Sequence, residues 1–438
     1  MRVAFIPIDN RPVCYSLAKD IAAIDGDIEL LLPPREYLGN LKKIADIQAI
    51  LAWLREQKDV DTLILSLDTL IYGGLIPSRR GKESLDELKK RLEHIKPILA
   101  GKKVYAFSSV MRISNNNYNE EEKEYWKDYG KKIFAYSFSG GKQNDGIPAD
   151  ILEDYLATRK RNFEVNKIYL DWQKEGLFDT LIFSKDDCAE FGFNVEEARE
   201  LERLGGKTKT GADEIPLSLL SRAIEKDIKI YPEFLEPEYK DCISNYEDVS
   251  IEKSVLAQLE LGGFKLAYEK EDADVVLVVN NFVEKQGELV MGWATPKPYH
   301  GNFEAPDQAF AIADVRFANG ADNDFVADVF KKADFSKFYG YSGWNTSANT
   351  LGSLLACVKV KWQAKKYSAD AFNKLQEIRF LDDWAYQANV RGQISEPTDI
   401  AELMAPYEDK VCRIFGERKF RYSYPWDRKF EIEVSEIT

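Results

Sequence analysis

The sequence predicts an α/β protein built from repeated βα units with mainly parallel strands. Two observations carry this. Short apolar runs alternate with stretches of helical periodicity over the N-terminal two-thirds of the chain, the pattern of strands joined by crossover helices. Polar residues then recur directly after nearly every apolar run, where α/β proteins place their chemistry.

The elements follow in order. Val3–Ile8 reads as a strand, Val13–Ile24 as a helix, and Ile28–Leu32 as a strand stopped by Pro33 and Pro34. Ala45–Lys58 is an amphipathic helix and Thr62–Leu67 a strand. Ser84–Ile98 is a helix, with Ser84 and Glu87 at capping-box spacing. Val104–Val110 is a strand, Ala149–Glu175 one long helix and Thr180–Ser184 a strand. Helices are predicted at Val195–Leu204 and Asp213–Lys226, and strands at Ile228–Tyr231, Val275–Val279, Ala311–Val315 and Phe338–Trp344. A helix follows over Ala348–Trp362, then helical pattern to about Val390 and one or two strands within Lys419–Val434. Eight or nine βα units suit a (β/α)8-type barrel or doubly wound open sheets; the count favours the barrel-like form. Residues 1–362 are expected to form the catalytic domain, with the acidic stretch 233–274 as an insertion, and 363–438 a helical and short-strand extension.

Composition narrows the function. With 45% hydrophobic and 31% charged residues the 438-residue chain is an ordinary globular protein. Its net charge of −14 and lack of a long basic run argue against nucleic acid as a partner. The five cysteines are widely spaced and form no CxxC, so neither a disulfide framework nor a zinc ribbon is expected. Only His94 and His300 are present; His94 sits in a charged helical stretch, and His300, in a loop, is the better site candidate. No run reaches the length of a membrane span and no signal peptide is apparent, so a cytoplasmic location away from the membrane is expected. Oligomeric state is not legible.

The strand-end residues form the candidate site. Asp9, Asn10 and Arg11 follow the first strand; Asp68, Tyr72 and Arg79 the third; Arg112 the fourth; Asp186 and Asp187 the fifth. Asp213 and Glu214, Asn319 and Asp322, and Trp344, Asn345 and Asn349 follow later elements. Neighbouring carboxylates divide into acid and base when their environments separate their pKa values. Arginines clamp anionic groups, and amides and a tryptophan suit hydroxyls and ring faces. Each also has a structural reading: Asp9 to Pro12 as a turn before a helix, Tyr72-Gly73-Gly74 as a tight turn, Ser184 to Asp187 and Thr210 to Asp213 as caps, Asn319 to Asp322 as a turn, and Asn345 or Thr346 as an N-cap.

At these motifs the chain resembles the bacterial family known as domain of unknown function 4127. The matching stretches are Pro7 to Pro12, Ser66 to Asp68 with Tyr72 to Leu75 and Ser78-Arg79, Arg159 to Asn162 with Asn166, and Asp186-Asp187. Gly211 to Glu214, Asn319 to Asp322, and Tyr341 to Thr346 with Asn349 complete them. The resemblance spans nearly the whole chain and implies that the strand-end residues belong to one site, without an activity. A strand ending in paired aspartates with a later Trp-Asn segment is also similar in arrangement to barrel hydrolases that remove N-acetylglucosamine.

The expectation is a hydrolase of carbohydrate derivatives, glycosidase-like and N-acetylhexosaminide-directed, needing no cofactor. Asp186 and Asp187 would be its acid/base pair and the other strand-end residues would bind a small-molecule or glycan substrate. Alternatives are a phosphoryl or ester hydrolase with a divalent metal held by Asp9, Asp68, Asp187 and Asp322, and a non-catalytic binder of a small polar metabolite.

Overall fold

A computed structural model describes residues 1–186 and 188–437. The chain divides into two compact units, described separately. The first comprises Met1–Asn10, Glu29–Leu219 and Tyr246–Asp248; the second comprises Arg11–Ile28, Leu220–Asn245 and Val249–Thr438.

The first unit holds six strands: β1 (Arg2–Ile6), β2 (Glu29–Leu31), β3 (Thr62–Ser66), β4 (Lys103–Val110), β5 (Thr180–Lys185) and β6 (Thr208–Thr210). Their order is β2-β1-β3-β4-β5-β6, every neighbour parallel. All five residues of β3 and seven of the eight in β4 are buried. Strands buried along nearly their whole length are what a parallel sheet covered on both faces requires. Two of the connecting helices start on side-chain caps, the second of them read from the sequence. Asp46 accepts Ala49 N–H ahead of the helix Ile47–Glu56, and Ser84 and Glu87 close a capping box ahead of Leu85–Leu99. The long helix runs Ala149–Lys174.

The second unit holds β7 (Lys229–Phe234), β8 (Lys265–Leu266), β9 (Val275–Asn280), β10 (Gly287–Glu288), β11 (Phe310–Asp314), β12 (Phe317–Ala318) and β13 (Phe338–Ser342). Its main sheet is ordered β8-β7-β9-β11-β13, again all parallel, while β10 and β12 form a short ladder of their own. An antiparallel hairpin joins β14 (Phe420–Ser423) to β15 (Glu433–Glu436). Ile230, Val275, Leu277, Val279, Ala311 and Ala313 pack with Val255 and Leu259 of the helix Ile251–Leu261 and with Leu351, Leu354, Leu355 and Val358 of the helix Ser347–Gln363. The acidic stretch 233–274 thus carries a core helix and the edge strand β8. The helix Ala369–Arg379 continues as a π-helical stretch, Phe380–Val390, a form rare at this length.

The closed barrel favoured by the strand count is not found. The strands divide six and five, and among the described residues no pairing closes either sheet. Periodicity fixes where strands lie but not which neighbours they take, which is why the count misled. Taken in chain order, both main sheets share the arrangement second-first-third-fourth-fifth, with a sixth strand added in the first unit. No helix among the described residues is long and apolar enough to cross a membrane.

Candidate functional site

In the first unit the strand ends carry buried charge. Asp68 is the second residue of the helix Leu67–Tyr72, which leaves β3 directly and is capped by Ser66. Its side chain is 1% exposed, and Oδ2 accepts Ser109 N–H at 2.7 Å. Burial pushes the Asp68 carboxyl up to about 7, against the opposing pull of the Ser109 hydrogen bonds and of Arg79. The phenol oxygens of Tyr72 and Tyr169 are buried and have no hydrogen-bond partner among the described residues. Burial and the charge of Asp68 both raise these two phenols, so they stay neutral.

Arg79 lies in the helix Leu75–Arg80 and is 1% exposed. It and Arg112, just after β4, share three carboxylates. Arg112 reaches Glu121 at 2.7 Å, Glu122 at 3.1 Å and Asp186 at 3.1 Å. Arg79 reaches Glu122 at 3.2 Å, Glu121 at 3.5 Å and Asp186 at 4.0 Å. Two positive charges therefore face three negative ones. Burial, then the Arg112 charge, lower the Arg79 guanidinium. Asp187 lies outside the described residues, so the adjacent-aspartate pair is represented by Asp186 alone.

Several motif residues brace this region. Arg159 makes a bidentate pair with Glu197 at 2.9 and 2.5 Å and donates to Met111 O at 2.8 Å. Asn166 accepts from Ser108 and donates to Ser109 O, and Asn162 donates to Ser78 O. Tyr72-Gly73-Gly74 is the tight turn between two short helices: Gly73 has φ +84°, and a Cβ there would fall 2.2 Å from Ile44 Cγ2.

Asp9, after β1, and Asp213, after β6, are both buried, with carboxylate oxygens within 4.8 Å of each other. Asn10 follows Asp9; its N–H donates to Gly39 O and its carbonyl accepts from Arg35 Nε. Glu214 is fully buried and accepts Ala212 N–H at 3.1 Å. Burial lowers the nearby Lys209 ammonium, with Glu214 and Glu247 opposing.

In the second unit the strand ends hold a second charged network. Asp314 ends β11; its carboxylate accepts from Asn280 Nδ2 at 2.8 Å, Asp322 N–H at 2.8 Å and Tyr341 OH at 3.1 Å. Burial first, then the Asp322 charge, push Asp314 up to about 8. Burial also raises Asp322, which caps the helix Asn323–Lys332. Arg316 is fully buried and donates to Asn280, Lys297 O and Glu236 at 3.1, 3.2 and 3.0 Å, with Asp322 at 3.4 Å. His300 Nδ1 is 3.3 Å from Glu236.

Asn319 donates to the fully buried Glu288 at 2.6 Å, and its N–H reaches Asn345 O at 2.9 Å. Asn349 N–H donates to Thr346, which caps the next helix. Trp344 is 3% exposed and packs on Phe430 at 6.1 Å between centroids. It offers no open face to a sugar ring, contrary to expectation. Arg11 lies over Trp426 at 5.1 Å.

Sequence reasoning placed candidates on both sheets but missed Glu121, Glu122, Glu236 and Arg316. The first two sit in a run of acidic and polar residues that reads as solvated surface. Arg316, at the end of a predicted strand, is the one with a usable signal.

A family model described as "Protein of unknown function (DUF4127)" matches residues 3–402. The chain belongs to this family. No curated protein and no solved structure matches it.

Proposed function

We propose that this chain is a hydrolase of carbohydrate derivatives whose acid–base work is divided between Asp68 and Asp186. The carrying observation is that two strand-end carboxyls, both within the field of Arg79, occupy opposite environments. Asp68 is enclosed and pushed up to about 7, while Asp186 is salt-bridged by Arg112 at 3.1 Å with Arg79 at 4.0 Å. Paired groups in contrasting surroundings supply an acid and a base at one pH. Asp68 is the proton donor to the leaving oxygen; Asp186 is the carboxylate that activates water or stabilises positive charge developing on the sugar.

The fold supports the location. In a doubly wound open sheet the ligand crevice lies outside the carboxyl ends of the strands, where the order reverses. In the first unit that is between β1 and β3, and Asp68 directly follows β3. The charge balance supports a neutral substrate. Glu121, Glu122 and Asp186 already outnumber Arg79 and Arg112, so this cluster presents no net positive field to a phosphate. The neutral phenols of Tyr72 and Tyr169 suit hydroxyl groups.

One observation favours a second reading, a divalent-cation-dependent ester or phosphoryl hydrolase. Asp9 and Asp213 bring buried carboxylate oxygens within 4.8 Å, the hard oxygen donors that Mg²⁺-like ions take. A screen of the purified chain against nitrophenyl glycosides and nitrophenyl phosphate, with and without EDTA, separates the two. The first reading predicts EDTA-resistant glycoside cleavage that Asp68→Asn and Asp186→Asn each abolish. EDTA-sensitive phosphate release moves the assignment to the second. Turnover of neither substrate class sinks both.

A further inference from the structure

The main sheet of the second unit leaves part of one strand edge open inside a groove. Alternate residues of a parallel strand turn their backbone groups to opposite neighbours. Along β7 the even-numbered residues face β8. Ile228 O, just before the strand, accepts Lys265 N–H at 2.9 Å, and Ile230 O accepts Ala267 N–H at 2.8 Å. Leu235 N–H turns the other way, to Val279 O of β9 at 3.0 Å. Pro232 comes next on the β8 side and has no N–H to give, so the β7–β8 ladder stops after two pairs. Beyond Leu266 the chain departs into the 3-10 turn Lys270–Asp272. Pro232 C=O and both backbone groups of Phe234 therefore face the space past the end of β8.

That space is a groove of about 560 Å³, within the range of ligand pockets, roughly 300–1,000 Å³. Phe234 and Leu266 pack on the core face with Val255 of the helix Ile251–Leu261, while Tyr231 lies on the opposite face of β7. Leu256 and Tyr268 also line the groove and are 38% and 84% exposed, so apolar surface stands open to water on both sides of the free edge. The charges lining the groove cancel in pairs: Glu233 with Lys270 and Glu252 with Lys240, each at 2.7 Å. The flanking segments 233–241 and 267–272 hold no other basic residue, and Glu238, Asp241, Glu269, Glu271 and Asp272 are exposed on them. The rim is therefore negative.

We propose that this groove binds an extended, basic peptide segment of another protein, which adds as a strand beside β7 where β8 stops. The free edge offers two acceptors, Pro232 C=O and Phe234 C=O, and one donor, Phe234 N–H, which a peptide backbone complements. Alternate side chains of an added strand point to opposite faces, so apolar residues settle against Val255 and Leu256 while the cations between them reach the acidic rim. A second copy of this chain is a poor occupant, because two such rims repel and the chain carries a net charge of −14. The groove does not involve Asp68 or Asp186, so its failure and the failure of the hydrolase reading are separable.

The test measures fluorescence anisotropy of the full chain with three end-blocked, labelled peptides about six residues long, an ordinary strand. One alternates Lys and Val, one alternates Glu and Val, and the third is the Lys–Val peptide with an N-methyl group on every second amide. The Lys–Val peptide binds, more weakly as salt rises, and the Glu–Val peptide does not. N-methylation weakens binding roughly tenfold or more, the loss of at least one main-chain hydrogen bond. Leu256→Lys, at an exposed helix position, and the double variant Glu238→Lys, Glu269→Lys each keep the wild-type Tm and weaken Lys–Val binding at least tenfold. If the Lys–Val peptide does not bind, Pro232 and the acidic rim only protect an edge strand from pairing, and the proposal is overturned. It is equally overturned if the N-methylated peptide binds as tightly as its parent, or if both variants keep wild-type affinity.

Discussion

Replacing Asp68 by Asn tests the buried acid through stability alone. The side chain keeps its shape, and its amide oxygen still accepts Ser109 N–H, which Asp68 takes at 2.7 Å. Only the ability to ionise is lost. In the folded chain the carboxyl is raised from 3.8 to about 7, so between those values the native state holds a proton that the unfolded state has released. Stability from this group is fully present below 3.8 and is lost as pH rises to about 7. Each pH unit inside the window costs about 1.4 kcal/mol. Asn has no proton to lose. The stability of Asp68→Asn relative to wild type should therefore grow by about 2–3 kcal/mol between pH 5 and pH 7, then level off. Asp314, raised to about 8, and Glu377, raised to about 7, titrate over overlapping ranges; they contribute to both proteins and cancel in the difference. Urea unfolding of both proteins at pH 5, 6, 7 and 8 measures it. A difference that does not change with pH shows that Asp68 is not held protonated, and refutes the argument from burial.

Three further outcomes follow from the packing. Arg316→Met strands the buried Glu236 carboxylate and should cost about 3–5 kcal/mol in urea unfolding, with Glu236→Gln added in the same chain recovering part of it; a loss below 1 kcal/mol contradicts the buried network. Gly211 has φ +115°, and a Cβ there would lie 1.8 Å from Glu214 Oε1, so Gly211→Ala should lower stability by about 1–3 kcal/mol, and an unchanged Tm argues against this loop geometry. Ser84→Ala opens the capping box of the helix Leu85–Leu99 and should cost about 1 kcal/mol in chemical denaturation; no loss would mean the cap does not hold in solution.

What the sequence made legible was local. Ser84 and Glu87 announce their capping box because both partners lie within one turn. β3 and β9 announce themselves by their apolar centres, Leu63–Leu65 and Val275–Val279. Sheet order was not legible, because β8, only two residues long, and the division into six and five strands depend on which neighbours pair. The site shows the same division. Asp68, Arg112 and Asp186 stand at strand ends, and strand ends can be read. The burial that raises Asp68 comes from residues far away in the chain, so its acid character cannot. Glu121 and Glu122 read as surface because nothing nearby in sequence reveals that Arg79 is 1% exposed beneath them. Trp344 erred the other way, since its neighbour Phe430 closes the ring face from a distant segment.

The division of labour between Asp68 and Asp186 is tested most directly by the pH–rate profile of the glycoside cleaved best in the screen, compared with the two Asn variants. With Asp68 as proton donor, kcat/KM falls as pH rises through about 7, the value to which burial pushes this carboxyl. Both Asp68→Asn and Asp186→Asn lower the rate by about a hundredfold or more, the scale of acid–base catalysis. A profile that rises through pH 7, or an Asp68→Asn variant that keeps the wild-type rate, contradicts the assignment.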